Sequence, residues 1–214
     1  MDMAMPSPFF SIGLPPWLPA LQRPMALRID VARPVQPDAD EFESLYDRLH
    51  TPGDRLFGLQ AVPLGGPEFV VRQREADGEL YVYVEDTRRR RLAGYTTFNR
   101  LVEVDRRTDP HVRAPHSRYD APYQRRGLAT AVYQRALDAG LCLVSGARQS
   151  PGAHALWQRL ARQHELAYVD LRDKRLRYLG PQVSARVLDA LHTRMLLLGQ
   201  GWTLQRLAAA TGMC

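Results

Sequence analysis

The run Gln124-Arg125-Arg126-Gly127-Leu128-Ala129-Thr130 joins a basic, glycine-containing turn to a strongly helical stretch. The first N–H groups of a helix find no acceptor within it, and the positive end of its dipole points the same way. Such a turn therefore seats a phosphate or pyrophosphate. Gly127 lets the main chain approach an anion with no Cβ between them, and Ala129 keeps a further position small. Arg125 and Arg126 add full charges to these partial ones. The same spacing also suits a plain surface turn capped by arginines, so the rest of the chain has to decide.

A chain of 214 residues, 45% of them hydrophobic, can bury one sizeable domain with modest extensions. No apolar run is long enough to cross a bilayer, and the two cysteines, Cys142 and Cys214, are too few for a disulfide framework or a zinc site. Both features point to the cytoplasm. The net charge of +6 implies anionic partners, whether a nucleotide-like ligand, nucleic acid or acidic protein. Lys174 is the single lysine, and such a skew towards arginine reflects coding composition more than nucleic-acid contacts. The run Arg88-Arg89-Arg90-Arg91 lies between strand-like segments without interleaved aromatics, which favours a solvated hairpin turn over a base-stacking patch.

Hydrophobic periodicity supplies the elements that must hold the basic turn. Residues 1–24 carry prolines at 6, 8, 15, 16, 19 and 24 and are expected to be poorly ordered; Met25 could serve as the start. Leu27 to Val31 alternates like a strand. Asp38 and Glu41 stand at capping-box spacing before a helix whose apolar face is Phe42, Leu45, Tyr46 and Leu49. A Pro/Gly-rich loop covers 52–67, two strands join at Asp77-Gly78, and a third extends over Leu92–Val104. Residues 105–116 are polar and broken by Pro110 and Pro115. After the basic turn come a helix closed by Gly140, an apolar strand at 141–144, a helix capped by Ser150 with Pro151 at its first position, and a hairpin around Arg172-Asp173-Lys174.

In this order of elements the chain resembles the GNAT (GCN5-related N-acetyltransferase) superfamily. Its Q/R-x-x-G-x-G/A signature is matched by Gln124, Gly127 and Ala129, and its N-x-x-A-x-x-L-Y pattern by Ser150, Ala153, Leu156 and Trp157. The resemblance covers roughly residues 26–180. It implies an α/β (α+β) fold with a mostly antiparallel central sheet flanked by helices, and acetyl-CoA as acyl donor to an amine acceptor. By resemblance, the backbone of Arg125, Arg126, Gly127, Leu128, Ala129 and Thr130 holds the CoA pyrophosphate. Ser117, Arg118 and Tyr119 pair with the pantetheine arm, where two splayed strands admit the thioester and an N–H stabilises its oxyanion.

The chain departs from the family where a proton must reach the leaving thiolate. Trp157 replaces the usual tyrosine, and an indole N–H cannot give up a proton near neutrality. Trp157 is then either a wall of the thiol pocket or a core aromatic. Ser150 replaces an asparagine that often reaches the cofactor arm, and its capping role is the simpler one. The candidate bases are His116, Asp120, His111 and Glu103, with His116 and Asp120 nearest the expected thioester. The remaining histidines show no metal-ligand spacing, so no metal is expected.

Beyond Pro181 the sequence predicts a helical C-terminal extension: an apolar helix over 183–198, which suggests a homodimer, then a second helix from Trp202 to Met213. The latter has the look of half a helix-turn-helix with no recognition helix to follow, so nucleic acid is not the expected partner. Two functions are compatible with these residues: an N-acetyltransferase, or a catalytically silent CoA-binding or nucleic-acid-associated regulator on the same scaffold.

Overall fold

The computed structural model describes residues 39–214; the Pro-rich segment 1–24, the strand expected over 27–31 and Asp38 lie outside them. The elements in chain order are α1 (Ala39–His50), β1 (Ala61–Pro63), β2 (Phe69–Ala76), β3 (Glu79–Asp86), β4 (Arg91–Asn99), β5 (Val112–Tyr119), α2 (Leu128–Asp138), β6 (Cys142–Val144), α3 (Pro151–Leu160), β7 (Leu166–Arg172), β8 (Arg175–Gly180), α4 (Ala185–Leu188), β9 (Thr193–Leu197) and α5 (Leu204–Thr211). The nine strands form one mixed sheet in the order β1-β2-β3-β4-β5-β6-β9-β7-β8. Every neighbouring pair is antiparallel except β5 and β6, which run parallel.

The first four strands are a meander built on tight turns. Asp77 and Gly78, both at positive φ, close the β2–β3 hairpin, and the run Thr87–Arg90 closes β3–β4, so the arginine cluster is a hairpin turn. On one face of the sheet α2 and α3 bury Leu128, Val132, Leu137, Trp157 and Leu160 against Val71, Phe98, Leu143 and Leu197. On the other, α1 seats Phe42 and Leu49 over Tyr83 and Leu92, while α5 seats Leu207 against the β6, β7 and β9 half.

The helix expected over 183–198 is not formed. Only Ala185–Leu188 is helical, and Thr193–Leu197 is a strand inserted between β6 and β7. The cause lies in Met195-Leu196-Leu197, whose side chains go alternately to the two covered faces: Met195 and Leu197 meet the α2/α3 layer and Leu196 the α5 layer. A strand covered on both faces is apolar throughout and shows neither helical nor alternating periodicity. Of the apolar residues that suggested a homodimer, those from Met195 to Leu198 are buried, whereas Leu191 stays exposed.

The last helix is fastened to the loop before β5. Arg107 donates from Nε to the Ala210 carbonyl at 2.8 Å and from Nη2 to that of Ala209 at 2.6 Å, which satisfies carbonyls otherwise left open at a helix C-terminus. Arg107→Ala should lower stability by about 1 kcal/mol, a figure kept small by solvent exposure, and urea unfolding would read it as a lower midpoint at unchanged slope.

Strand β5 corrects two further expectations. It begins at Val112, within the stretch read as a broken loop, and it contains Pro115, while β4 ends at Asn99 short of Val104. A proline is tolerated there because of where the N–H of that position would point. Asp120 N–H bonds back to Ala93 in β4, and the Tyr119 carbonyl instead accepts from Gln124 Nε2 at 3.0 Å. Backbone polar groups alternate along a strand, so Pro115, Ser117 and Tyr119 turn theirs away from β4. Pro115 needs no donor on that open edge.

Candidate functional site

Strands β5 and β6 are paired only at Val112↔Cys142 and Arg113↔Leu143. Beyond Arg113, β5 continues for six residues alongside β4, whereas β6 stops at Val144. The result is a gap in the sheet, and into it opens a cleft of about 730 Å³ bounded by β5, the turn before α2, the loop after β6, and α3.

The turn at the head of α2 has the form its sequence suggests. Arg125 (φ +60°) and Gly127 (φ +81°) both lie in the left-handed region, and Gly127 serves as N-cap without any side-chain hydrogen bond. The first helical bond runs from Ala131 N–H to the Gly127 carbonyl at 2.9 Å. The six amides from Arg125 to Thr130 therefore donate to no acceptor among the described residues. Left-handed residues in such a turn make successive N–H groups converge into an anion-binding concavity. A Cβ added at Gly127 would meet nothing within 4 Å, so it would project into open space at the cleft wall. The cleft carries three arginines, Arg125, Arg148 and Arg159, and no carboxylate. Its electrostatics favour an anionic ligand.

Of the residues the sequence singled out, Ser117, Tyr119, Gln124, Arg125, Gly127, Ala129, Thr130 and Ser150 line this cleft, as do His116 and Trp157. Four others do not. Leu128 is buried in the core. Arg126 lies over the rings of Phe69 and Tyr123, at 5.0 and 5.5 Å from their centroids, so only its backbone belongs to the turn. Arg118 reaches the opposite face of the sheet and pairs with Glu41 on α1 at 2.8 Å, where Glu41 also accepts from Tyr95 at 2.9 Å. Glu41 is thus tied to the sheet, while its expected capping-box partner Asp38 lies outside the described residues. Asp120 caps the following turn, accepting from Ala121 N–H at 2.8 Å, and borders a smaller pocket beside α1.

His111 and Glu103 are carried to the far end of β5. His111 meets Trp202 edge to face at 5.4 Å, and Glu103 pairs with Arg194 at 3.6 Å. His116 is exposed on the same strand face as Arg118, the face covered by α1. Ser150 acts as the N-cap of α3, its Oγ accepting from Ala153 N–H at 3.1 Å. Trp157 is a core aromatic, only 3% exposed, and it also lines the cleft.

Besides Arg148 and Arg159, the sequence reading missed two polar lining residues, Gln149 and Tyr133. Gln149 Oε1 is fully shielded from solvent and accepts no hydrogen bond. A shielded acceptor left alone is costly, and the residue that carries it lines the cleft. Tyr133, counted from its helical spacing as core, also lines the cleft: Ser117 Oγ donates to its hydroxyl at 3.2 Å, and its ring stands edge to face on Trp157 at 6.5 Å. Burial pushes the Tyr133 phenol up to about 12, so it stays protonated at any ordinary pH. No sequence signal marks Gln149, because its orphaned state is a property of the assembled wall.

Elsewhere, burial pushes the Cys142 thiol up to about 11, which leaves it inert as a nucleophile. Among the described residues no cluster of three or more His, Cys, Asp or Glu could hold a metal, and no helix is long and apolar enough to cross a membrane. A depression of similar size, about 690 Å³, lies beside Arg162, His164 and Glu165 and, unlike the cleft, is lined by a carboxylate. Comparisons with family models, with curated proteins and with solved structures found no match in any of the three.

Proposed function

We propose that the protein is an N-acetyltransferase of the GNAT type, moving acetyl from the thioester of acetyl-CoA to a primary amine by direct attack. The carrying observation is the coincidence, in one cleft, of six unpaired amides on a left-handed turn with the unpaired edge of a splayed strand. A pyrophosphate fits the first, with Arg125 beside it. The amide groups of a pantetheine arm fit the second, along Pro115, Ser117 and Tyr119.

On this reading the Ser117 N–H is the donor that meets the thioester oxygen as negative charge develops on it. Gln149 Oε1 takes a pantetheine N–H. The amine enters from the face covered by α1, where His116 can relieve it of a proton, and Glu41, Tyr95 and Arg118 border the approach. Inert Cys142 agrees with direct attack, since no acyl-enzyme is needed. Trp157, which cannot act as acid, is the one observation favouring a silent CoA-binding protein instead.

Calorimetric titration with CoA, followed by assay of thiol release from acetyl-CoA against a panel of amines, separates these outcomes. Binding with turnover supports the enzyme, binding without turnover the silent form, and no binding sinks both. Gln149→Leu carries a sharper expectation, with effects of opposite sign. Removing an orphaned acceptor should raise the apo protein's stability by about 1 kcal/mol, while CoA affinity falls about tenfold. Thermal melts and the same titration would read the two; a variant that binds CoA as well as wild type would remove Gln149 from the site.

A further inference from the structure

Four hydroxyls lie in a row beneath the cleft. Tyr119 OH is 3.4 Å from Thr96 Oγ1, Thr96 Oγ1 is 2.7 Å from Ser117 Oγ, and Ser117 Oγ donates to Tyr133 OH at 3.2 Å. Each hydroxyl owns one hydrogen. Ser117 spends its hydrogen on Tyr133, so Thr96 must donate to Ser117, which leaves Tyr119 to donate to Thr96. The row is therefore polarised in one direction, and each bond strengthens the next. It ends at Tyr133, whose oxygen is already an acceptor and whose own hydrogen has no acceptor in the row. Tyr133 lines the cleft, with its ring edge to face on Trp157 and its oxygen bonded to Ser117 of the strand edge.

We infer that Tyr133 is a catalytic residue of this site, donating a hydrogen bond to the sulfur of the leaving thiolate in place of the acid that Trp157 cannot supply. The inference rests on the acetyl-transfer reading above. In the step itself the amine nitrogen forms the new C–N bond and the C–S bond breaks with its electron pair passing to sulfur. The nitrogen sheds its proton to His116 or water, and the thiolate departs hydrogen-bonded to Tyr133 OH, taking a proton later from solvent. Tyr133 keeps its proton throughout, as a phenol less acidic than the thiol must. The ring is set for this task by its neighbours: Phe98 at 5.8 Å and Trp157 at 6.5 Å hold it from two sides. On this view Trp157 has lost the role of acid and kept that of a brace.

The contact can be measured without knowing the acceptor. Affinities of the full-length protein for CoA and for desulpho-CoA, which lacks the sulfur, are compared by calorimetry at a pH near 9, where a thiol of ordinary pKa about 8.5 is largely ionised. Wild type should prefer CoA by about tenfold or more, as befits a charge-assisted hydrogen bond. Tyr133→Phe keeps the ring and its packing; it should bind desulpho-CoA as wild type does and lose the preference for CoA. Ser117→Ala removes the donor that orients the hydroxyl and should reduce the preference only in part. A preference unchanged in Tyr133→Phe, or absent in wild type, overturns the assignment while leaving acetyl transfer standing. Failure of wild type to bind either ligand overturns both.

Discussion

Gly127→Val should weaken CoA binding about a hundredfold, the loss expected if two charge-assisted hydrogen bonds of about 1.5 kcal/mol each are broken. Two causes contribute and can be separated. Gly127 sits at φ +81°, where an ordinary L-residue costs about 1–2 kcal/mol, so valine would distort the turn. Its Cβ would also stand in the cleft mouth, since nothing lies within 4 Å to receive it and the space is where an anion would approach the amides. Asparagine tolerates the left-handed region far better than valine. Gly127→Asn should therefore keep near wild-type stability and still bind CoA poorly, because its side chain occupies the seat. Calorimetry on both variants, with thermal melts as the control for folding, decides the matter. Wild-type affinity in Gly127→Asn would show that the turn is not the anion seat.

The second large effect is on the strand that forms the other wall. Gly94 on β4 lies opposite Tyr119, and a Cβ there would come within 2.4 Å of Tyr119 Cδ1 and 2.5 Å of the Arg118 carbonyl. Neither neighbour can yield easily, because Tyr119 is buried against the core and the carbonyl is main chain. Gly94→Ala should cost about 3 kcal/mol, the upper end for forced overpacking. The Tyr119 ring lies over Gly94 and sends its hydroxyl to Thr96, so the added methyl also pushes on the end of β5 that faces the cleft. Denaturant unfolding would register the loss as a lower midpoint. A change within 0.5 kcal/mol, the range of ordinary surface substitutions, would show that the β4–β5 contact is looser than described.

Much of this molecule is written locally. The turn at Gln124-Arg125-Arg126-Gly127 is legible because its conformation is fixed within a few residues, by a left-handed glycine and a helix that starts directly after it. The cap at Ser150, the turn at Asp77-Gly78 and the hairpin around Asp173-Lys174 are legible for the same reason. Strand β9 was not, since Arg194-Met195-Leu196-Leu197 shows no periodicity once both faces of a strand are covered. Nor was β5, because Pro115 argues against a strand unless its open edge is known.

The site divides along the same line. Residue types and short spacings alone determined that a basic turn opens a helix, that Ser150 and Trp157 stand at the head and middle of the next, and that little else in the chain offers chemistry. Only the tertiary structure decided that β5 and β6 part after Arg113, that Arg126, Arg118 and Asp120 turn to other tasks, and that Tyr133 and Gln149 both line the cleft. Local conformational preferences reach over a few residues, whereas an orphaned acceptor or a row of hydroxyls exists only when segments distant in the chain are packed together.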